Sequence, residues 1–259
     1  MKDLENLQND ILNGHKYYLR NVSIDNVIFG YHQKELKVLL QRPHGLSKWT
    51  VCGGYIKKTE TIEEAADRIA RERTGLRELY LKQFKAFGNP LRTNDGVISA
   101  EIKSNIAGAK VDKGNWMFDY FVTLGFYTLT EFDLVKPNGE FYTEECQWWD
   151  ILTLPDLFFD HKLIIEEALK ALRLHIYHYP IGFELLPVKF TLPEITSLYE
   201  TILEKKLDSR NFSKKLLATG IITKLNERKY IGPHRSPFLY VFNKTKYDEA
   251  LRNGMVLAI

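Results

Sequence analysis

Two hydrophobic rhythms divide the chain at about Pro187. Before it, short alternating segments predominate. Val22 to Ile28 and Leu36 to Gln41 repeat with period two and predict a hairpin turning through Gly30-Tyr-His-Gln-Lys34. Leu46 to Val51 leads to Gly53-Gly54, a turn where positive φ is cheap for glycine. Residues 61–74 switch to helical period, with Thr59 or Thr61 as cap, Glu63 and Glu64 in the first turn, and Gly75 as the stop. Leu79–Phe87, Trp116–Leu129 and Glu145–Trp149 read as further strands. Residues 93–115, rich in Gly, Asn, Ser and Lys, predict a long mobile polar loop with room for a short strand at Val97–Ile102. Asp160 caps a predicted helix, His161 to about His178, with Leu163, Ile164, Ala168, Ala171, Leu172 and His175 on its apolar stripe. Trp148, Trp149 and Phe158 are assigned to the core, and His161 to a structural role at the helix start. The interleaved elements predict an α/β class, specifically an α/β/α sandwich over residues 1–180 with a linker helix at 161–178.

Residues 187–259 follow a different order. Thr191-Leu-Pro-Glu194 starts a helix reaching about Glu204, with Pro193 tolerated in its first turn. Leu207-Asp-Ser209 supplies a turn and a cap, Arg210–Thr219 a second helix, and Gly220 its stop. Ile221–Leu225 and Phe238–Phe242 are two short strands joined by residues 226–237. Helix, turn, helix and β-ribbon describe a winged helix-turn-helix, whose second helix enters the major groove while the wing touches backbone or minor groove.

Charge sharpens that reading. Residues 205–246 hold eleven Lys and Arg against Asp208 and Glu227, an excess of +9 in a chain whose formal net charge is +3, so the remainder carries −6. Such asymmetry points to a polyanion partner for one end, here double-stranded DNA. Arg210 and Asn211 sit where a recognition helix reads bases, since arginine pairs bidentately with guanine and asparagine with adenine. Lys214, Lys215, Lys224, Arg228, Lys229, His234 and Arg235 are phosphate candidates. Two cysteines, Cys52 and Cys146, argue against a disulfide framework and read as small buried hydrophobes. A polar N-terminus and the lack of an 18-residue apolar run predict a bacterial cytoplasmic protein without a membrane partner.

One motif carries potential chemistry. Gly54-Tyr-Ile-Lys-Lys-Thr-Glu60, then Arg68-Ile-Ala-Arg-Glu72-Arg-Thr-Gly75-Leu76, resembles the Nudix box, G-x5-E-x7-R-E-U-x-E-E-x-G-U. Nudix enzymes cleave a diphosphate joined to another moiety, using a divalent metal held by glutamates on one helix. Positions 69, 72 and 73 share a helix face, but Ile69 and Arg73 replace the first and third of those glutamates. Glu64 lies roughly 12 Å from Glu72 along a helix, too far to share an ion. No catalytic residue, metal ligand or cofactor is therefore assigned. Arg68 with Glu72, and the glycines, also have plain structural explanations.

Nearly the whole chain is similar to the Nudix-related transcriptional regulators, a Nudix-like sensor fused to a winged helix. Leu79-Tyr-Leu-Lys-Gln-Phe-Lys-Ala-Phe-Gly88, Leu154–His161, Pro180–Pro187, Phe190–Glu200 and Leu207–Lys215 carry the likeness in order. The resemblance implies a homodimer whose affinity for a palindromic operator responds to a small effector, either ADP-ribose or a pentose such as L-arabinose. By Nudix topology the effector pocket would draw on Arg42, Trp49, Glu72, Arg92, Phe118 and Tyr120. Two departures bear on the effector: Arg92-Thr-Asn-Asp95 stands where many relatives read Arg-Asp-Pro-Arg, and about twenty polar residues follow before Trp116. The alternative is a pyrophosphohydrolase acting on ADP-ribose or a related nucleotide sugar.

Overall fold

In the computed structural model, seven consecutive buried residues, Ile24 to Gly30, run through the middle of one long strand, β1 (Tyr18–His32). Such a run suits a strand covered on both faces. Two of its polar members are tied to neighbours: Asn26 Nδ2 donates to the Ala66 carbonyl at 2.9 Å, and Asp25 lies 3.5 Å from Arg92. The residues described are all but 1, 76–78, 93–102, 105, 106, 109, 112, 113, 136–142, 184, 231–235, 258 and 259. They divide into two compact units, residues 1–30 with 37–168, and residues 31–36 with 169–259.

The first unit is the expected α/β fold. Around β1 assemble β2 (Glu35–Pro43), β3 (Cys52–Lys57), β4 (Lys82–Phe87), β5 (Val122–Glu131) and β6 (Thr143–Asp150), in the order β4-β5-β1-β2-β6 with β3 also paired to β1. The β1–β2 turn lies at Gln33 and Lys34, both with positive φ (50° and 67°), the signature of a two-residue type I′ hairpin. Gly30, expected in that turn, is inside the strand because the Trp148 indole lies over it. Trp148 and Trp149, assigned to the core, are half-buried, whereas Phe158 is fully enclosed.

Helix α2 (Ile62–Thr74) is fixed at both ends. Thr61 and Glu64 form a reciprocal capping box, and Gly75 closes the last turn in the left-handed region at φ 72°. Its Ala65, Ala66 and Ile69 pack with Ile24, Ile56 and Phe126 of the sheet. Helix α3 (His161–His175) buries Ile164, Ile165, Ala168 and Leu172, while Leu163, expected on that stripe, is exposed.

Two parts of this unit depart from expectation. An N-terminal helix, α1 (Lys2–Asn13), precedes the sheet. Its Leu7 and Ile11 pack with Ala107, Val111, Met117 and Phe118, so part of the segment expected to be a loose polar loop is packed. A 3₁₀ turn, Trp116–Phe118, replaces the expected start of β5. The expected strand at Val97–Ile102 lies outside the described residues.

The second unit contains a three-stranded sheet in the order β7-β9-β8: β7 (Phe190–Thr191), β8 (Ile222–Arg228) and β9 (Phe238–Phe242). Helix α4 (Leu192–Leu203) begins with a Thr191–Glu194 capping box and Pro193 in its first turn, and α5 (Ser209–Ala218) with Asp208 accepting from the Arg210 and Asn211 amides. Tyr199 and Phe212, with ring centroids 4.9 Å apart, join the two helices. Phe212 and Leu216 hold α5 to its core, whereas Leu217 is exposed. A last helix, α6 (Lys244–Asn253), buries Tyr247. This is a winged helix, and among the described residues no helix is long and apolar enough to cross a membrane.

Gly30→Ala should destabilise the first unit by about 1–3 kcal/mol, because an added Cβ would lie 2.8 Å from the Trp148 ring. Urea unfolding followed by tryptophan fluorescence tests this, and an unchanged midpoint would contradict the close approach.

Candidate effector cavity and DNA-binding face

A cavity of about 610 Å³ lies within the first unit, the size of a small-molecule site. The box residues form one side of it, and their geometry departs from a metal cage. Ile69 is buried, and its Cδ1 would lie 2.9 Å from a Cβ placed on Gly54. Gly53 and Gly54 thus belong to β3 rather than to a turn, and neither has positive φ. They are glycines because α2 and the Asp25 carboxylate approach so closely. Arg73 is only 2% exposed and also lines the cavity.

A divalent ion of the Nudix type asks for carboxylate and water oxygens. Hydrocarbon at 69 and guanidinium at 73 do not fit it, which leaves Glu72 as the one carboxylate of that helix face. Among the described residues no three His, Cys, Asp or Glu side chains gather as metal ligands.

Arg68 turns the rest of the box into a clamp. Its Nη2 donates to Glu60 Oε1 at 2.6 Å and to the Tyr55 carbonyl at 2.8 Å, its Nε to Glu60 Oε2 at 2.9 Å, and its Nη1 reaches Glu72 at 3.4 Å. Glu60 also accepts from the Lys57 amide at 2.7 Å. Burial opposes ionisation of Glu60, but the hydrogen bonds from Arg68 and Lys57 outweigh it and hold the carboxyl below its ordinary range.

A second charged group reaches the cavity at the start of α3. Arg92 makes a bidentate pair with Asp160 (2.8 and 3.0 Å) and lies 3.5 Å from Asp25. His161 Nδ1 accepts from the Val51 amide at 3.3 Å, and its Nε2 lies 4.0 Å from Asp25. Aromatic rings supply another wall. Tyr18, Tyr55, Phe118 and Phe121 line the cavity. Trp116 supports them, edge-on to Tyr55 at 4.6 Å and bonded through Nε1 to the Asp10 carbonyl at 3.1 Å.

Of the six effector candidates, Glu72, Arg92 and Phe118 line this cavity. Arg42, Trp49 and Tyr120 are not among its lining residues. Strand alternation brings Gln41 and Pro43 to the cavity and carries Arg42 to the other face, where it pairs with Glu145 at 2.7 Å. Trp49 packs edge-on to Trp149 at 5.3 Å, and the Tyr120 hydroxyl donates to the Gly88 carbonyl. Sequence reasoning missed Asp25, Arg68, Arg73, Lys103 and His161 as lining residues. The helical spacing of Leu7 and Ile11 was a readable sign of α1.

The DNA candidates separate into two groups. Arg210, Asn211 and Lys214 are exposed on α5, with Lys215 half-buried. Lys224 and Arg228 are exposed on β8, both held over the Phe238 ring at 3.6 and 3.8 Å. Lys229 differs: its Nζ pairs with Glu194, the N3 residue of the α4 capping box, at 2.5 Å. It is a tie between wing and helix rather than a ready phosphate contact. His234 and Arg235 lie outside the described residues.

The family model of the NUDIX domain matches residues 19–167, and that of the NrtR DNA-binding winged helix domain matches residues 182–242. The chain therefore belongs to the Nudix family, in the form that carries an NrtR-type DNA-binding winged helix, and is a DNA-binding transcriptional regulator. It is 27% identical to the "ADPR responsive transcriptional repressor NtrR" of Acinetobacter baylyi, over 88% of this chain and 84% of that one. It is 26% identical to an ADP-ribose pyrophosphatase of Methanocaldococcus jannaschii, over 58% of this chain and 73% of that enzyme. The crystal structure of Shewanella oneidensis NrtR with a 27mer DNA shares the fold at a TM-score of 0.68 and 23% identity, covering 88% of this chain and 96% of that one.

Because the folded-state pKa of Glu60 is depressed, its contribution to stability is complete above the unfolded carboxyl value and fades as pH falls through the folded one. Glu60→Gln should cost about 1.5–3 kcal/mol at pH 7, and the gap from wild type should close towards pH 3. Denaturant titrations across pH test this, and a pH-independent gap would contradict an ionised clamp.

Proposed function

We propose that this chain is a homodimeric repressor whose Nudix-domain cavity binds ADP-ribose, or a closely related nucleoside diphosphate sugar, without cleaving it, and whose DNA affinity changes in response. The observation that carries the reading is the pairing of a rebuilt box, with Ile69 and Arg73 where metal-binding glutamates would stand, and a winged helix presenting exposed cations. Five tyrosine and phenylalanine rings and several guanidinium groups around the cavity suit a nucleobase and its phosphates. The names of two relatives, ADPR responsive for the Acinetobacter repressor and ADP-ribose pyrophosphatase for the Methanocaldococcus enzyme, support the same ligand class.

Ligand control requires different affinities in two states of the protein, and the coupling is reciprocal. On DNA, Arg210 and Asn211 read bases, while Lys214, Lys215, Lys224 and Arg228 contact phosphate. Phosphate contacts release counterions, so binding weakens steeply with salt.

A second reading rests on the retained Glu72, which lines the cavity, and on the likeness to an ADP-ribose pyrophosphatase. Release of AMP from ADP-ribose with Mg²⁺ or Mn²⁺, abolished by Glu72→Gln, would favour this enzyme over the sensor.

Fluorescence anisotropy with DNA from upstream of the protein's own operon tests the main reading. A specific, salt-sensitive complex should form and weaken with ADP-ribose. L-arabinose should leave it unchanged; a response to the pentose instead would reassign the effector. Arg210→Ala should cost about 1–3 kcal/mol on the specific site alone. Lys224→Ala should weaken all sequences alike and lower the salt slope by about one. Failure to form any specific complex would overturn the regulator reading.

A further inference from the structure

We propose that Lys103, from the segment between β4 and β5, is an anion-contacting residue of the cavity and binds a phosphate or diphosphate group of the effector. The inference rests on the reading of this cavity as the effector site, and it concerns which group of the ligand is recognised and by what.

Among the described residues four carboxylates line the cavity, and each already has a partner. Asp10 accepts from the Tyr18 hydroxyl at 2.9 Å, Asp25 lies 3.5 Å from Arg92, Glu72 3.4 Å from Arg68, and Asp119 3.1 Å from Arg20. Lys103 lines the same cavity, and among the described residues no carboxylate pairs with it. Its Nζ donates to the Met117 carbonyl at 2.9 Å and sits 3.8 Å from the centre of the Phe118 ring. An ammonium has three donors, so the carbonyl leaves two to be used.

Desolvation without a counter-charge is unfavourable for the charged form, and burial pushes the Lys103 ammonium down to about 8. It stays charged at neutral pH in a place where, among the described residues, a carbonyl and an aromatic face support it. An anionic ligand group supplies the missing charge, whereas a neutral pentose leaves it uncompensated. Phe118 and Met117 also touch α1 through Leu7 and Ile11, so the lysine is seated on a packed wall rather than a free strand. The recognised class is therefore a phosphorylated ligand, with the diphosphate directed to the wall that α1 forms with Lys103, Met117 and Phe118.

Isothermal titration of the full chain with ADP-ribose, ADP and adenosine tests this. Lys103→Met should weaken ADP-ribose and ADP roughly 10- to 100-fold and leave adenosine binding unchanged. Lys103→Arg should retain most of the affinity. The thermal midpoint of the unliganded Met variant should match or exceed wild type, because a desolvated charge has been removed; if that variant does not fold, Lys103→Gln takes its place in the same comparison. Equal ADP-ribose affinity in wild type and the neutral variant would overturn the role of Lys103 while leaving the sensor reading intact. Equal losses for adenosine and ADP would overturn it also, as a general packing effect. Wild type that binds none of the phosphorylated probes would overturn the effector reading itself, and this inference with it.

Discussion

The close approach of α2 to β3, where the Ile69 side chain lies over the missing side chain of Gly54, decides what the cavity can hold. A methylene-rich group in that position contributes to the core shared with Ile24, Ile56 and Phe126. It cannot also offer oxygen to an ion. The Arg68 clamp keeps α2 and the 57–60 loop in register, so the frame of a hydrolase persists with its ligand set changed. What remains at the cavity is a set of charged groups and aromatic rings, with Glu72 as the one carboxylate of that helix face.

The same distinction between fixed and available charge organises the winged helix. The +9 excess suggested many equivalent phosphate contacts, yet Lys229 is spent on Glu194 and stabilises the start of α4. Lys224 and Arg228 each lie over the Phe238 ring, which restricts their side chains. Preordering of this kind reduces the entropy lost on binding. Arg210, Asn211 and Lys214 stay exposed on a helix whose first turn is fixed by Asp208, at the end that a recognition helix presents to bases.

Local chemistry was legible in the sequence, and partnership across the fold was less so. The caps at Thr61, Thr191 and Asp208, the stop at Gly75 and the span Phe238–Phe242 follow from short-range rules and agree with the structure. The hairpin turn was misplaced because Gly30 serves a tryptophan brought by β6, a partner more than a hundred residues away. Arg42 and Tyr120 were offered for the pocket, but their neighbours Gln41, Pro43, Asp119 and Phe121 line it instead, a one-residue difference that topology alone could not set. The packing of α1 against Ala107, Val111, Met117 and Phe118 was read as polar N-terminus, loose loop and strand start. Its apolar contacts are few and distant in sequence, so periodicity over a short window registered them weakly.

On the proposed reading, effector cavity and operator are coupled without a metal. The most direct measurement is the dissociation constant of ADP-ribose for the full chain in EDTA, taken with and without saturating operator DNA. Reciprocity requires any effect of the ligand on DNA to appear equally as an effect of DNA on the ligand. The account predicts tight binding of intact ADP-ribose in EDTA, weakened on the operator by the same factor by which ADP-ribose weakens DNA binding. An ADP-ribose affinity that vanishes without divalent metal, or that is identical with and without operator, would contradict it.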